Sequence, residues 1–266
     1  MIGLQEILAV ASGGLVGFSL GLIGGGGSIL AVPLLVYVVG IASPHHAIGT
    51  SAVAVAASAA LNLIGHARAN TVKWRCGLVF AGAGVAGAAL GAAAGKAIDG
   101  QKLLALFGVL MLAVGLVMLR GRKGGGDPDV HLDWTSAKRL LPALVGAGFV
   151  VGALSGFFGI GGGFLVVPGL VGATAMPLLN AIGSSLVSVT AFGTTTAASY
   201  ALSGLVDWKV AGLFVLGGAL GGAIGIFAAT RLAPHKNLLS RIFAAVVIAV
   251  GAYVVFKGAA ALSTWI

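Results

Sequence analysis

The chain has 266 residues, of which 59% are hydrophobic and only 8% charged, and its formal net charge is +9. Soluble domains average about 25% charged residues, so this composition excludes an ordinary soluble enzyme, a disordered chain and a disulfide scaffold. An all-α polytopic membrane protein remains, and its 46 glycines are a second anomaly.

Ten apolar segments follow one another along the chain, and a polar linker divides them into two sets of five. A membrane-spanning helix needs about 20 predominantly apolar residues. The segments lie at about 3–22, 28–42, 46–65, 74–95 and 102–119, and then at 138–158, 163–174, 178–202, 208–230 and 238–257. The sequence therefore predicts a first transmembrane repeat over 1–120, a polar linker over 121–137 and a second repeat over 138–266. Each repeat has about four full spans and one short helix after a Gly-rich break.

The basic residues cluster between the apolar segments, as is typical of cytoplasmic loops in membrane proteins. We therefore expect the lipid bilayer as a partner of this basic chain, and no nucleic acid. A smaller part of the positive charge is expected to attract an anionic ligand. The first apolar segment has no basic leader before it, so we expect a permanent span rather than a cleaved signal peptide.

The second set of segments repeats the first. At one constant offset, Gly17, Gly21, Gly24, Gly26, Gly27 and Pro33 recur as Gly152, Gly156, Gly159, Gly161, Gly162 and Pro168. Further along, at an offset one residue shorter, Val72, Trp74 and Lys102 recur as Val206, Trp208 and Lys236. A chance match among abundant glycines would hardly also align a proline, a tryptophan and a lysine. The sequence therefore indicates an internal duplication.

The number of segments in each half decides whether the repeats are parallel or inverted. One continuous pass through 3–42, at about 1.5 Å per residue, would be nearly twice as long as the hydrocarbon core of about 30 Å. We therefore expect the run Gly24–Gly27 to turn the chain back. Five segments per half then invert the second repeat relative to the first. Four spans per half, with each Gly break inside a single pass, is the alternative, which the charge distribution disfavours only slightly.

The clustered glycines at Gly21–Ser28 and Gly156–Gly163 interrupt corresponding segments of the two halves. Each break exposes the first N–H groups of the following short helix, which begins near Ser28 or Gly163, and such groups attract anions. Paired breaks of this kind are typical of substrate sites near the bilayer midplane. The predicted site includes Gly24, Gly25, Gly26, Gly27, Ser28, Gly159, Gly161, Gly162 and Gly163.

Close helix packing is the alternative role for glycine. We expect it for most of the other glycines, including Gly84, Gly87, Gly91, Gly218, Gly221 and Gly225.

Neutral polar side chains occur in the segment that follows each short helix, and we predict that they line the same cavity. They are Thr50, Ser51 and Asn62 in the first half and Asn180, Ser184 and Ser185 in the second. Hydroxyls and amides can donate to an anion without adding a buried charge, although a single Ser or Thr more often bonds its own helix. His46, which matches Asn180, is the first candidate for proton coupling. A satisfied histidine at an interface is the alternative.

The sequence shows no catalytic constellation. No nucleophile–base–orienter set is visible, and no Lys-Ser/Thr follows Gly24–Gly27 as a phosphate loop requires. The pair His45-His46 is followed by no other ligand at metal spacing. We therefore expect a protein that is not an enzyme and has neither a cofactor nor a metal site.

The two Gly-rich motifs resemble the signature of the sulfite exporter TauE/SafE family. They read GLIGGGGSILAVPLL at Gly21–Leu35 and GFFGIGGGFLVVP at Gly156–Pro168. The Ala-Ile-Gly-Thr/Ser-Ser element after each motif is similar to that family's next element, and the resemblance covers nearly the whole chain.

The resemblance implies a multi-pass secondary transporter of the bacterial inner membrane. Its substrate would be a small sulfur-containing anion such as sulfite, sulfoacetate or a related organosulfonate. Ser28 stands where the second half has Gly163, so the two breaks are expected to differ. A passive anion channel and a carrier of a non-sulfur organic anion remain alternatives, and the sequence leaves a homodimer open.

Overall fold

The computed structural model describes residues 3–23, 25–119, 134–231 and 236–263, and every regular element in these ranges is helical. The prediction of an all-helical chain is confirmed. In chain order the elements are α1 (Leu4–Ile23), a 3₁₀ helix (Gly25–Leu30), α2 (Ala31–Tyr37), α3 (Pro44–Arg68), α4 (Trp74–Ala97), α5 (Gly100–Leu119), α6 (Trp134–Phe158), α7 (Gly163–Thr174), α8 (Leu178–Leu202), α9 (Trp208–Arg231) and α10 (Lys236–Ser263).

Seven of the described helices are long and apolar enough to cross a membrane, namely α1, α3, α4, α5, α6, α8 and α9. The apolar stretches Gly27–Tyr37 and Gly163–Thr174 are shorter, as the sequence predicts for the helices after the breaks. The predicted last span falls within α10, whose described apolar stretch is Ile242–Gly258. The chain is therefore a multi-pass membrane protein.

The two short helices differ from each other. The second, α7, covers the predicted range 163–174. The first begins earlier than predicted, as the 3₁₀ helix, and α2 ends at Tyr37 rather than near residue 42. Gly40 adopts a left-handed φ of +83° and Ile41 N donates to Leu35 O, so the chain turns there before α3 begins. Of the predicted linker 121–137, residues 121–133 lie outside the described ranges, and α6 already begins at Trp134.

The helices of the two halves interlock rather than forming separate bundles. The most extensive packing joins α1 with α9, α4 with α6, α5 with α10, and α3 with α8. A Cβ on Gly91 would overlap the carbonyl oxygen of Ala153, and one on Gly221 would overlap that of Gly14. Cβ atoms on Gly84, Gly87, Gly218 and Gly225 would also collide with a neighbouring helix. The predicted packing role of these glycines is confirmed.

Two of these four pairs, α1 with α9 and α4 with α6, run in the same direction, whereas α3 with α8 and α5 with α10 run antiparallel. Along α1 and α9, Gly13 lies against Phe214 and Gly17 lies against Gly218. At the beginning of these two helices, Glu6 Oε1 and Lys209 Nζ form an ion pair at 2.5 Å. The same relation joins α4 and α6, whose contacts advance together along the chain from Gly87 with Phe149 to Gly95 with Phe157.

Candidate functional site

The two Gly-rich breaks meet in the interior of the helix bundle. The 3₁₀ helix of the first break packs against α7, the helix that follows the second break. A Cβ on Gly161 would lie 2.8 Å from Cγ1 of Val55 and 3.4 Å from Cγ1 of Val189. Val55 and Val189 stand near the middle of α3 and α8. The second break therefore lies midway along the two span-length helices that follow the short helices.

The second break is a left-handed turn that only glycine adopts without strain. Gly159, Gly161 and Gly162 have φ values of +67°, +63° and +68°, and a side chain at such a φ would cost about 1–3 kcal/mol. Gly162 is the N-cap residue of α7 and, as a glycine, has no side chain that could cap the helix. Its carbonyl accepts from Leu165 N and Val166 N, both at 2.9 Å. The N–H groups of Gly163 and Phe164 precede the first bonded turn, so they have no partner within α7.

The first break has a different conformation. Residues 25–30 form the 3₁₀ helix, and none of these residues has a positive φ. Gly27 packs so closely on α1 that a Cβ would lie 2.6 Å from the Cβ of Ser19. Ser28 is completely buried. Gly24 lies outside the described residues. The two breaks are thus matched in sequence but differ in backbone geometry.

Ser51 is the predicted polar residue that the fold brings into contact with a break. Its hydroxyl donates to the carbonyl oxygen of Gly159 at 3.0 Å and also lies 2.8 Å from Ile48 O on its own helix. Its counterpart Ser185 donates to Ile182 O at 2.7 Å. Ser51 therefore connects α3 to the second break.

Thr50 and Ser184 hold the loops that precede α9 and α4. Thr50 Oγ1 accepts from Asp207 N at 2.9 Å, and Ser184 Oγ accepts from Lys73 N at 2.8 Å. The two bonds are equivalent in the two repeats, and both cross between the halves. They join the early turns of α3 and α8 to loop backbone. These hydroxyls stabilise the arrangement of the loops, and these two hydrogen bonds join them to loop backbone rather than to a break.

The two predicted asparagines are also engaged with protein. Asn180 Nδ2 donates to Thr71 O at 3.0 Å, in the loop before α4. Asn62 Nδ2 donates to Ser58 O at 2.9 Å, one turn earlier on α3. The amide of Asn62 packs on α9, since a Cβ on Gly222 would lie 3.0 Å from its Oδ1. Neither contact points to a ligand, although each is compatible with a change of partner during transport.

The three histidines of α3 lie towards its ends. His46 is half-buried in the first turn, whereas its neighbour His45 contacts Ile98 O through Nε2 at 3.1 Å. At the other end, Nδ1 of His66 lies 2.9 Å from Thr71 Oγ1. Proton coupling through His46 therefore stays a prediction.

Four buried hydroxyls lie outside the predicted set of site residues, although the repeat offset matches one of them, Thr196, with the predicted residue Asn62. Ser155, Ser188, Thr196 and Tyr200 are 0% exposed, and their side-chain oxygens have no hydrogen-bond partner among the described residues. Comparison of the two repeats could not reveal Ser155, Ser188 or Tyr200, because the equivalent positions of the first repeat hold Leu20, Ala54 and His66. The interval of four between Thr196 and Tyr200 was the available signal. Within the described ranges, no group of three His, Cys, Asp or Glu residues could hold a metal ion.

Comparison with known proteins decides the family. A family model described as "Sulfite exporter TauE/SafE" matches residues 9–254. The chain belongs to the sulfite exporter TauE/SafE family. A "Probable membrane transporter protein" of Xylella fastidiosa (strain 9a5c) is 53% identical to this TauE/SafE protein, over 96% of this chain and 97% of the relative. "Probable membrane transporter protein YunE" of Bacillus subtilis (strain 168) is 26% identical over 95% and 98%. No solved structure matches the chain significantly.

The family match and the span-length apolar helices indicate the same general role in the membrane. This TauE/SafE protein is a multi-pass membrane transporter, and the family and its relatives indicate transport rather than enzymatic catalysis. The resemblance predicted from the two Gly-rich motifs is confirmed.

Proposed function

We propose that this protein is a secondary transporter that moves a small sulfur-containing anion, sulfite, sulfoacetate or a related organosulfonate, across the bacterial inner membrane. The anion binds between the two Gly-rich breaks. One observation carries the proposal: the N-cap of α7, Gly162, lies inside the bundle, and α7 packs against the 3₁₀ helix of the other break. A helix N-terminus is a ready anion site because its N–H groups and its dipole both favour negative charge. The family's name supports sulfur oxyanions as the ligand class.

The described residues of the breaks provide neutral donors. The N–H groups of Gly163 and Phe164 would hold the anion at the second break, with Ser51 fixing the turn through Gly159. Ser28 belongs to the first break. No charged side chain occurs in the breaks. A site of this kind can release its ligand readily, because it adds no fixed opposite charge at membrane depth.

We also propose that the two repeats are inverted relative to each other. On α3 and α9, Ser58 lies against Gly218 and Asn62 against Gly222, so these helices run in the same direction. Because α1 also runs with α9, α1 and α3 share one direction. The loop 69–73 reverses the chain into α4, and α6 runs with α4. This register supports opposite directions for α1 and its repeat partner α6, and alternating access between inverted halves follows naturally.

Reconstitution of the purified protein into liposomes tests the function. We expect saturable uptake of ³⁵S-labelled sulfite or of sulfoacetate, and accelerated exchange when unlabelled anion is inside. Thiosulfate and taurine complete the panel, and protein-free liposomes are the control. Absence of movement of every sulfur-containing anion would overturn the proposal.

The same liposomes discriminate the two alternatives. A passive anion channel would give flux that neither saturates nor shows counterflow. A carrier of a non-sulfur organic anion would exchange acetate or succinate but not sulfite. If His46 couples transport to protons, an imposed pH gradient would drive uptake, and His46→Gln would abolish that response while leaving exchange intact. A homodimer stays a prediction, which cross-linking in native membranes would check.

A further inference from the structure

The four hydroxyls without partners need an explanation of their own. Folded proteins pair nearly all buried polar atoms with protein or ordered water. In this structure Ser155 Oγ, Ser188 Oγ, Thr196 Oγ1 and Tyr200 Oη have no protein partner among the described residues. A serine or threonine in a membrane helix can bond its own backbone, as Thr190 and Thr195 do on the same α8. The unpaired hydroxyls are therefore not a general property of this helix.

Three of the unpaired hydroxyls lie in a row along α8, and the fourth, that of Ser155, is on the neighbouring helix α6. Ser188, Thr196 and Tyr200 are separated by multiples of four residues, so they share one face of α8. Phe192 occupies the same face, and its ring atom Cδ2 lies 3.6 Å from the position of a Cβ on Gly162. Ser155 Oγ lies 2.8 Å from that same position. The inner end of the row therefore lies beside the N-terminus of α7.

The outer end of the row carries a positive charge. Lys96 Nζ lies 5.8 Å from the centre of the Tyr200 ring. It also donates to Ser199 O at 3.0 Å and to Ser203 Oγ at 2.9 Å. Ser203 is exposed at the end of α8. A cation at such a mouth raises the local concentration of anions.

The equivalent face of α3 behaves differently. It holds Ala54, Ser58, Asn62 and His66. Here Asn62 donates to Ser58 O, and His66 contacts Thr71 Oγ1. Polar residues therefore follow both faces, but of these two faces only the one on α8 has unpaired hydroxyls among the described residues. In this conformation the α8 face is the one that lacks hydrogen-bond partners.

We propose that Ser155, Ser188, Thr196 and Tyr200, here called the hydroxyl row, line a water-filled path between the second break and the Lys96 end of the protein. The hydroxyls replace part of the hydration shell of the anion as it moves along α8. Phe192, which stacks on Phe80 with centroids 6.3 Å apart, stands between Ser188 and Thr196 and must move for the anion to pass. This path rests on the proposed transport function, but its access to water can be measured without transport.

Cysteine labelling tests the path. In a Cys76→Ala background, Thr196→Cys is reconstituted and treated with an anionic, membrane-impermeant methanethiosulfonate from each side in turn. We expect reaction from the Lys96 side, slowed by saturating sulfoacetate. The matched control is Thr194→Cys, two residues away on α8, where the side chain is exposed in an apolar groove between α8 and α3. It should react at least about tenfold more slowly, because an anionic reagent is costly to transfer from water into an apolar environment.

A second variant and an isosteric substitution keep the test decisive. Tyr200→Cys replaces Thr196→Cys if the latter does not insert. Thr196→Val removes the hydroxyl without changing the shape, and we expect transport to fall about tenfold, the scale of one charge-assisted hydrogen bond. Thr195→Val, whose hydroxyl bonds Ala191 O, should transport normally.

The outcomes separate the two proposals. If the wild type transports while Thr196→Cys and Tyr200→Cys react no faster than Thr194→Cys, the path is wrong and the transporter stands. If Thr196→Val raises the melting temperature and leaves transport unchanged, water does not reach the hydroxyl row and the proposed path is wrong. If labelling follows the expected pattern but the wild type moves no anion, the path stands and the transport proposal fails.

Discussion

The hydroxyl of Ser51 on α3 donates to the carbonyl oxygen of Gly159 in the second break, at 3.0 Å. The same hydroxyl lies 2.8 Å from Ile48 O on its own helix. A serine hydroxyl has a single hydrogen to donate, so these two carbonyl oxygens compete for it. The attachment between α3 and the break can therefore be exchanged for a bond within α3 at little cost.

Removing this hydroxyl should loosen the break. In Ser51→Ala we expect the stability of the protein to fall by about 1 kcal/mol, the usual net value of one hydrogen bond. Transport should fall several-fold, because the turn that presents the α7 N-terminus is no longer held. Thermal unfolding in detergent and counterflow in liposomes measure the two effects. The control is Thr190→Ala, whose hydroxyl bonds only Leu186 O. Equal transport by both variants would contradict the role of Ser51.

The left-handed turn of the second break should not tolerate a side chain. Gly161→Ala places a Cβ 2.8 Å from Val55 at a φ of +63°. We expect a cost of about 1–3 kcal/mol and loss of most counterflow activity. Gly172→Ala, on the helix α7 that follows the turn, is the control, since nothing lies within 4 Å of its Cβ position. Full transport by Gly161→Ala would show that the turn is not part of the site.

The packing glycines should show their role in stability. A Cβ on Gly91 would overlap Ala153 O on α6, whereas Gly82 on the same helix has open space around it. We expect Gly91→Val to cost at least about 1–3 kcal/mol by overpacking, and Gly82→Val to leave the melting temperature nearly unchanged. Thermal unfolding of the detergent-solubilised protein compares them. Similar melting temperatures for the two variants would argue against tight packing of α4 on α6.

The inverted arrangement can be tested at equivalent helix ends. Ala69 is the C-cap of α3 and Ser203 is the C-cap of α8, and the repeat offset matches these two exposed positions. In a Cys76→Ala background, inverted repeats predict that Ala69→Cys and Ser203→Cys react with an impermeant maleimide from opposite sides of the membrane. Sealed right-side-out and inside-out vesicles give the measurement. Labelling of both positions from one side would mean parallel repeats.

Several features of the fold could be read from the sequence because they depend on local composition. Apolar runs of about 20 residues favour helices in lipid, because a helix satisfies its backbone hydrogen bonds within the segment itself. The range of α7 follows from Gly163 and from the apolar residues after it, which end at a turn. The packing roles of Gly91 and Gly221 follow from small residues at helical spacing. These predictions needed no knowledge of neighbouring helices.

Other features depended on partners that lie far apart in the chain. Thr50 and Ser184 accept from Asp207 N and Lys73 N in loops of the opposite half, which the sequence did not reveal, and their role in lining a cavity stays a prediction. Helical spacing defines which residues share a face, but it does not define what that face contacts. The 3₁₀ geometry of the first break also escaped prediction, because Gly27 is fixed by close contact with Ser19 of α1.

The sequence by itself determined that this is a duplicated helical membrane protein with two Gly-rich breaks, and its motifs indicated the TauE/SafE family. Only the tertiary structure decided that the second break lies midway along α3 and α8, that Ser51 is bonded to it, and that hydroxyls along α8 have no partner among the described residues. The physical reason is the distance along the chain over which each effect acts. Apolar composition and the conformational freedom of glycine determine structure within a few residues, whereas burial and hydrogen bonding depend on which helices of the other half pack alongside.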